Sequence, residues 1–308
     1  MTVGSQEYRQ IDHWFSYDDC CLAVSELRPC HEGPAKNPRH MLVFLHGRFG
    51  HGEIWMPLVR RLAAHFQCLH LDLPGFGRSL SARGRGHSIQ EQSRMIRHVV
   101  ARFLPRGLQA VLVGHDIGGV IAQLCAIHEP THTGAMVLIN SSMLTSPPRL
   151  LRAGWQGLRA RRNLMKLFGS SGGAASTLSP ASRGMIYEVW LDRTKRRHLG
   201  EAFRAWEATW PGPFERNSWK QKMRGFSRPV LLLWSRADWL NPVEYAEELL
   251  RIYPDAYLFE NESCGHWPCL ESTDWVEGKL REFLFRLHDR GAHDASWFDS
   301  GPTVRRQA

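Results

Sequence analysis

The stretch Ala110-Val111-Leu112-Val113-Gly114-His115-Asp116-Ile117-Gly118-Gly119-Val120 carries the reading of the whole chain. A short apolar run stops at a glycine, and two residues later an acid stands at the apex of a sharp turn. Two more glycines follow, and Val120–Ile127 then reads as a helix. Strand, tight turn and helix in this order form a nucleophile elbow, G-x-Nuc-x-G, whose small flanking residues let a strained turn expose one reactive side chain. The exposed position is Asp116. A carboxylate there points to attack on an electrophilic carbon, leaving an ester on the protein. The competing reading is a surface turn with an acid after a buried strand.

On both sides of the elbow, strand and helix alternate. Arg9–Tyr17 and Cys20–Arg28 read as a hairpin turning at Asp18-Asp19, and a polar link over Glu32–Pro38 follows. Met41–Leu45 is continuously apolar, which suits a strand buried on both faces of a mainly parallel sheet. A helix around Ile54–His65, a strand at Cys68–Leu71, a glycine-rich loop at Asp72–Ser79 and a helix at Ile89–Phe103 precede the elbow. After it come strands at Ala135–Ile139 and Pro229–Trp234, a helix at Val243–Ile252, a strand near Ala256–Phe259 and a helix over Trp275–Leu287. The alternation predicts an α/β fold with a mainly parallel central sheet flanked by helices. Met143–Phe226 breaks it: this block is helix-rich, interrupted at Ser170–Gly173, and too long for a connection. The expected organisation is a core over 1–142 and 227–290, an inserted helical cap over 143–226, and a flexible tail over 291–308.

Composition narrows the function. The chain has 308 residues, 43% of them hydrophobic and 22% charged. No apolar run approaches the roughly 20 residues that span a bilayer. The N-terminus lacks the basic start and apolar stretch of a secretory signal, and seven cysteines without metal-ligand spacing suggest reduced thiols, so a cytoplasmic setting is expected. Nothing calls for a cofactor or a metal. The net charge of +9 is concentrated in 143–226, with sixteen Lys/Arg against five Asp/Glu and five of the twelve tryptophans. Such a segment can grip nucleic acid, or serve as a cap with a solvated basic face and an aromatic inner face. Without a nucleic-acid motif the second reading is preferred.

Two further segments follow predicted strands at their carboxyl ends, where an open α/β sheet places its site. Trp234–Pro242 carries Asp238, and Glu262–Pro268 carries His266 directly after a glycine. In chain order these give nucleophile, acid and base: Asp116, Asp238, His266. With Leu45-His46-Gly47, Asp72–Ser79, Gly114–Gly119 and Gly265-His266 in this order, the chain resembles the α/β-hydrolase superfamily from Met41 to Leu287. Its G-H-D-x-G-G elbow is similar to the aspartate-nucleophile branch of epoxide hydrolases and haloalkane dehalogenases. An aspartate is ionised at neutral pH and needs no base to attack. His266 would activate water against the ester, with Asp238 fixing its tautomer. The resemblance also implies an oxyanion hole from the backbone N–H groups of Arg48 and Ile117.

The chain departs from that branch at informative places. Haloalkane dehalogenases usually follow the nucleophile with a halide-holding tryptophan, where this chain has Ile117, and carry an asparagine where it has Arg48. Epoxide hydrolases usually show a proline where Phe49 stands, and two cap tyrosines where this cap offers Tyr187 alone. Arg48 facing inward would bind an anionic group on the substrate; facing outward it is a surface cation. Tyr187, Arg48, Trp239 and Trp267 are the candidate substrate contacts. The expected partner is a small molecule, apolar or aromatic, and the expected activity is two-step hydrolysis, epoxide-hydrolase-like. Dehalogenation, acid–base chemistry on a specialised metabolite, and ligand binding without turnover are the alternatives.

Overall fold

The computed structural model describes residues 7–30, 40–82, 86–141, 178–191, 193–289 and 305–306. The expectations for the link at 32–38, for 143–177 and for most of the tail fall outside these residues.

β1 (Tyr8–Tyr17) and β2 (Cys20–Pro29) pair antiparallel as a hairpin, with Asp18 at the turn in the left-handed region, φ +47°. β3 (His40–Leu45) and β4 (Cys68–Leu71) pair in parallel, and β2 lies antiparallel along the far edge of β4. A short β5 (Leu80–Ser81), which no apolar run announces, adds to β2. β6 (Gln109–His115), β7 (Thr133–Ile139), β8 (Val230–Ser235) and β9 (Ala256–Asn261) continue the parallel sheet from β3. The order is β1-β2-β4-β3-β6-β7-β8-β9-β10, where β10 is Arg305–Arg306, antiparallel to Leu258 and Tyr257. That last pairing departs from a wholly flexible tail; backbone pairing at a sheet edge needs no apolar signal in the sequence.

The parallel strands read as unbroken apolar runs because both of their faces are covered. In β3, Met41, Val43 and Leu45 enter one core layer while Leu42 and Phe44 enter the other. In β6, Ala110 and Leu112 divide from Val111 and Val113 in the same way. The period-two alternation is present, but both of its phases are buried.

The segment expected as one helix over Ile54–His65 is a 3-10 turn (Gly52–Trp55) running into α1 (Met56–Leu62), with Pro57 in the first turn, where its missing N–H is not needed. α2 (Ile89–Phe103) opens on Ser88, whose hydroxyl accepts from the Glu91 N–H while the Glu91 carboxylate accepts from the Ser88 N–H. α3 (Ile117–His128) leaves the elbow. Between β7 and β8 lie α4 (Pro180–Leu191), α5 (Arg193–Thr209) and α6 (Pro213–Arg224). Trp206 of α5 stacks on Phe76 with ring centroids 6.1 Å apart and planes 2° from parallel, and Lys220 of α6 meets Glu248 at 2.7 Å. α7 (Glu244–Ile252), α8 (Pro268–Glu271) and α9 (Thr273–Asp289) complete the chain order. No helix among the described residues is long and apolar enough to cross a membrane.

The chain adds β4 on one side of β3 and β6 on the other. The connections therefore part above the carboxyl ends of β3 and β6, the position where an open α/β sheet forms a crevice.

Candidate active site

Asp116 sits between β6 and α3 at φ +50° and ψ −119°, a conformation that L-residues rarely adopt. The surrounding glycines permit it. A Cβ on Gly118 would fall on the Leu45 carbonyl, and one on Gly114 would meet the backbone of Gly119. The turn is tied from outside by Ser141, whose hydroxyl donates to the Asp116 carbonyl at 2.5 Å.

The Asp116 carboxylate is buried, and Arg48 holds it from the loop after β3. The Arg48 backbone N–H and Nε donate to Oδ2 at 2.9 and 2.7 Å, while Nη2 donates to Oδ1 at 2.5 Å. Asn241 Nδ2 adds a longer bond to Oδ1 at 3.3 Å. Arg48 thus points inward, which decides the orientation that the sequence left open. Burial pushes the Asp116 carboxyl up, but the Arg48 charge and hydrogen bonds outweigh it and hold the group well below the usual carboxylate range. Burial pulls the guanidinium the other way, yet Asp116 keeps it raised. Phe49, next in the loop, has φ +66°, which a proline ring forbids, so the loop follows a path that the expected proline could not take.

His266 and Asp238 meet as the sequence suggests. His266 Nδ1 donates to Asp238 Oδ2 at 2.8 Å, and both side chains are fully buried. Asp238 Oδ1 accepts from the N–H groups of Leu240 and Asn241 at 2.8 and 3.1 Å, so both carboxylate oxygens are occupied. His266 Nε2 is buried with no hydrogen-bond partner among the described residues. Burial lowers the affinity of His266 for a proton, but the charge and hydrogen bond of Asp238, with Asp116 behind, raise its pKa overall.

Several positioning groups escaped the sequence reading. His115 Nε2 donates to the His266 carbonyl at 2.6 Å, and burial followed by the nearby His266 drives the His115 pKa down to about 3, keeping the ring neutral. Asn140, at φ +45° just past β7, donates to the Gly265 and His266 carbonyls at 3.1 and 3.2 Å and accepts from the Ser235 N–H at 2.8 Å. Asn241 donates to the Asn140 carbonyl at 2.7 Å as well as to Asp116. An asparagine ending a buried strand at the carboxyl edge, in a position that favours left-handed backbone, was the available signal for Asn140. The Asp72–Ser79 loop is scaffold: Asp72 accepts from the Gly52 and Arg78 N–H groups at 2.6 and 2.8 Å.

The remaining candidates divide. Ile117 begins α3, where the first N–H groups have no partner within the helix, and its side chain carries no donor. Trp267 is wholly buried and meets the His266 ring edge-on, with centroids 4.8 Å apart, so it packs against the imidazole. Trp239 is half-buried against the core beside Asp238. Tyr187 belongs to α4, and its side chain lies outside what the structure describes.

A buried acid on a strained elbow with a histidine–carboxylate pair at the carboxyl edge of a parallel sheet defines a hydrolase of α/β type. The sequence profile of the alpha/beta hydrolase family matches residues 42–278, and the chain belongs to that family. The chain is 27% identical over 258 residues to a pimeloyl-[acyl-carrier protein] methyl ester esterase of Xanthomonas oryzae pv. oryzae, covering 79% of this chain and 94% of that one. The esterase of the same name from Nitrosospira multiformis is 27% identical over 255 residues, covering 76% and 90%. Among solved structures, a hydrolase from Pseudomonas aeruginosa superposes with a TM-score of 0.71 at 18% identity, covering 92% and 99%, which shows the shared fold. The first two relatives are esterases, and none of the three carries an epoxide or halide in its name.

Proposed function

We propose that the protein hydrolyses a small electrophilic substrate in two steps through an ester on Asp116, with an epoxide as the best-suited electrophile. The carrying observation is the separation of nucleophile and base. His266 Nε2 makes no hydrogen bond to Asp116 or to any other described residue, while the carboxylate is held ionised by Arg48. A serine nucleophile needs the histidine on its hydroxyl; an aspartate does not, and leaves the imidazole free for water.

In the first step Oδ1 of Asp116 attacks a saturated carbon. A C–O bond forms as the substrate's own C–O bond breaks, and the electron pair goes to the departing oxygen. In the second, His266 Nε2 takes a proton from water, and the hydroxide adds to the carbonyl carbon of the ester. The resulting oxyanion lies on Oδ2, where the Arg48 N–H already donates and the Ile117 N–H is proposed to join it. Collapse expels the product oxygen, which takes the proton from His266; one oxygen of water remains on Asp116, and the proton it carries passes to the phenolate left when the departing oxygen was protonated, restoring the carboxylate. Tyr187 is the phenol nominated to protonate the departing oxygen. We assign 143–226 as a cap over this site and the mainly parallel sheet as its core.

The esterase relatives favour a second reading, hydrolysis of a carboxylic ester. There Asp116 would attack an acyl carbon to give an anhydride, or His266 would direct water straight to the substrate. Trapping separates these. His266→Gln removes the base, so incubation with epoxides, alkyl halides and methyl esters should give a stable covalent adduct on Asp116 by intact mass and peptide mapping. An adduct elsewhere, or hydrolysis undiminished in Asp116→Ala, contradicts the proposal.

A further inference from the structure

We propose that Glu271 is a positioning residue of the second half-reaction: its carboxylate grips the backbone on both sides of His266 and so sets where Nε2 meets water. This role rests on the aspartyl-ester reading above, in which His266 acts only after the ester has formed, and it deepens that reading by adding a residue that works through the base.

Glu271 closes α8, whose first position is Pro268. Proline presets the helical φ there and gives up an N–H that the first turn does not use. Helical side chains lean toward the amino end of their helix, so Glu271 reaches back over one short turn to the loop that carries the base. Its Oε2 accepts from the Gly265 N–H at 2.7 Å, and its Oε1 accepts from the Trp267 N–H at 2.9 Å. The two donors flank His266, and each carboxylate oxygen takes one of them.

The same stretch is also tied to the elbow and to the end of β7. The His266 carbonyl accepts from His115 Nε2 at 2.6 Å and from Asn140 Nδ2 at 3.2 Å, and the Gly265 carbonyl accepts from Asn140 at 3.1 Å. Both polar atoms of the peptide unit joining His266 to Trp267 are therefore engaged. With the backbone fixed, the imidazole keeps two side-chain torsions, and Asp238 sets the ring through Nδ1 at 2.8 Å. A plainer role for Glu271 is to cap α8, which accounts for its bond to Trp267, the residue before the first turn. It does not account for the bond to Gly265, which lies outside the helix.

The grip needs two acceptors at the reach of a glutamate. Aspartate keeps the charge but is one methylene shorter. Glutamine keeps the length but offers a single acceptor, and its NH2 would face an N–H donor.

Rapid quench and intact mass follow the Asp116 ester with enzyme in excess over styrene oxide or benzyl bromide. The unmodified protein is compared with Glu271→Gln, Glu271→Asp and Glu271→Ala, and urea midpoints are recorded for each. Misplacing a catalytic group by about 1 Å costs on the order of 100-fold. Ester decay is therefore expected to slow by about that factor in Glu271→Ala, and by smaller factors in Glu271→Gln and Glu271→Asp. Ester formation, which calls on no base, should keep its rate. The glutamine and aspartate variants carry the comparison if the alanine variant does not fold. Equal slowing of both steps, full decay in either conservative variant, or a lower urea midpoint with both rates intact overturns the inference and leaves the ester on Asp116 standing. No ester on Asp116 from either probe, in the unmodified protein or in His266→Gln, overturns the underlying reading and the inference with it.

Discussion

His266 lies in an electrostatic field that the proposed reaction would change. In the resting site Asp116 is an anion that raises the His266 pKa, while Arg48 lowers it more weakly. In the proposed reaction, forming the ester would remove the anion and leave the cation, so the imidazole would lose affinity for its proton when a neutral base is needed. Asp116→Asn imitates that electrostatic change. The His266 pKa in Asp116→Asn is expected below that of the unmodified protein, read from the imidazole shifts by nuclear magnetic resonance. An unchanged or higher value contradicts the coupling. The common placement of Asp116, Asp238 and His266 was legible because each follows a strand within a short local pattern. The direction of Arg48 was not, because its partner lies 68 residues away and only the folded chain brings them together. Asn241 was invisible for the same reason, and Asn140 offered only its place at a strand end: both act through long-range hydrogen bonds.

At the scale of elements, the elbow is a packing problem solved with glycine. Gly118 lies where α3 crosses the end of β3, and the atom its Cβ would strike is the backbone oxygen of Leu45, which cannot swing aside. Gly118→Ala is expected to destabilise the fold by about 3 kcal/mol or more. The check is a lower urea midpoint with an unchanged slope; a cost below about 0.5 kcal/mol would show that α3 shifts freely and that the strained turn is not fixed by this contact. The strands were the most readable elements, since burial on two faces leaves an unbroken apolar run such as Leu42–Leu45. α2 was equally plain as a helix over Ile89–Phe103, and the structure shows it capped by Ser88 and Glu91. β5 and β10 gave no signal, because two-residue edge strands are made by backbone pairing alone. The 3-10 entry to α1 was hidden because its four residues are too few to separate a 3-10 repeat from an α-helical one.

For the whole molecule, the fold places its chemistry by topology. Loops after β3, β6, β8 and β9 deliver Arg48, Asp116, Asp238 and His266 to one edge of one sheet, and the basic charge lies mainly in the segment between β7 and β8. The family and its parallel sheet could be read from four short motifs in order. The choice of electrophile could not, because it depends on how buried charges pair around Asp116. The central claim is that the oxygen given to the product comes first from Asp116 and only then from water. A single turnover with enzyme in excess, in heavy-oxygen water and with the epoxide that traps most readily, measures this directly. The account predicts unlabelled product and one heavy oxygen in the peptide bearing Asp116; labelled product with an unlabelled Asp116 would contradict it.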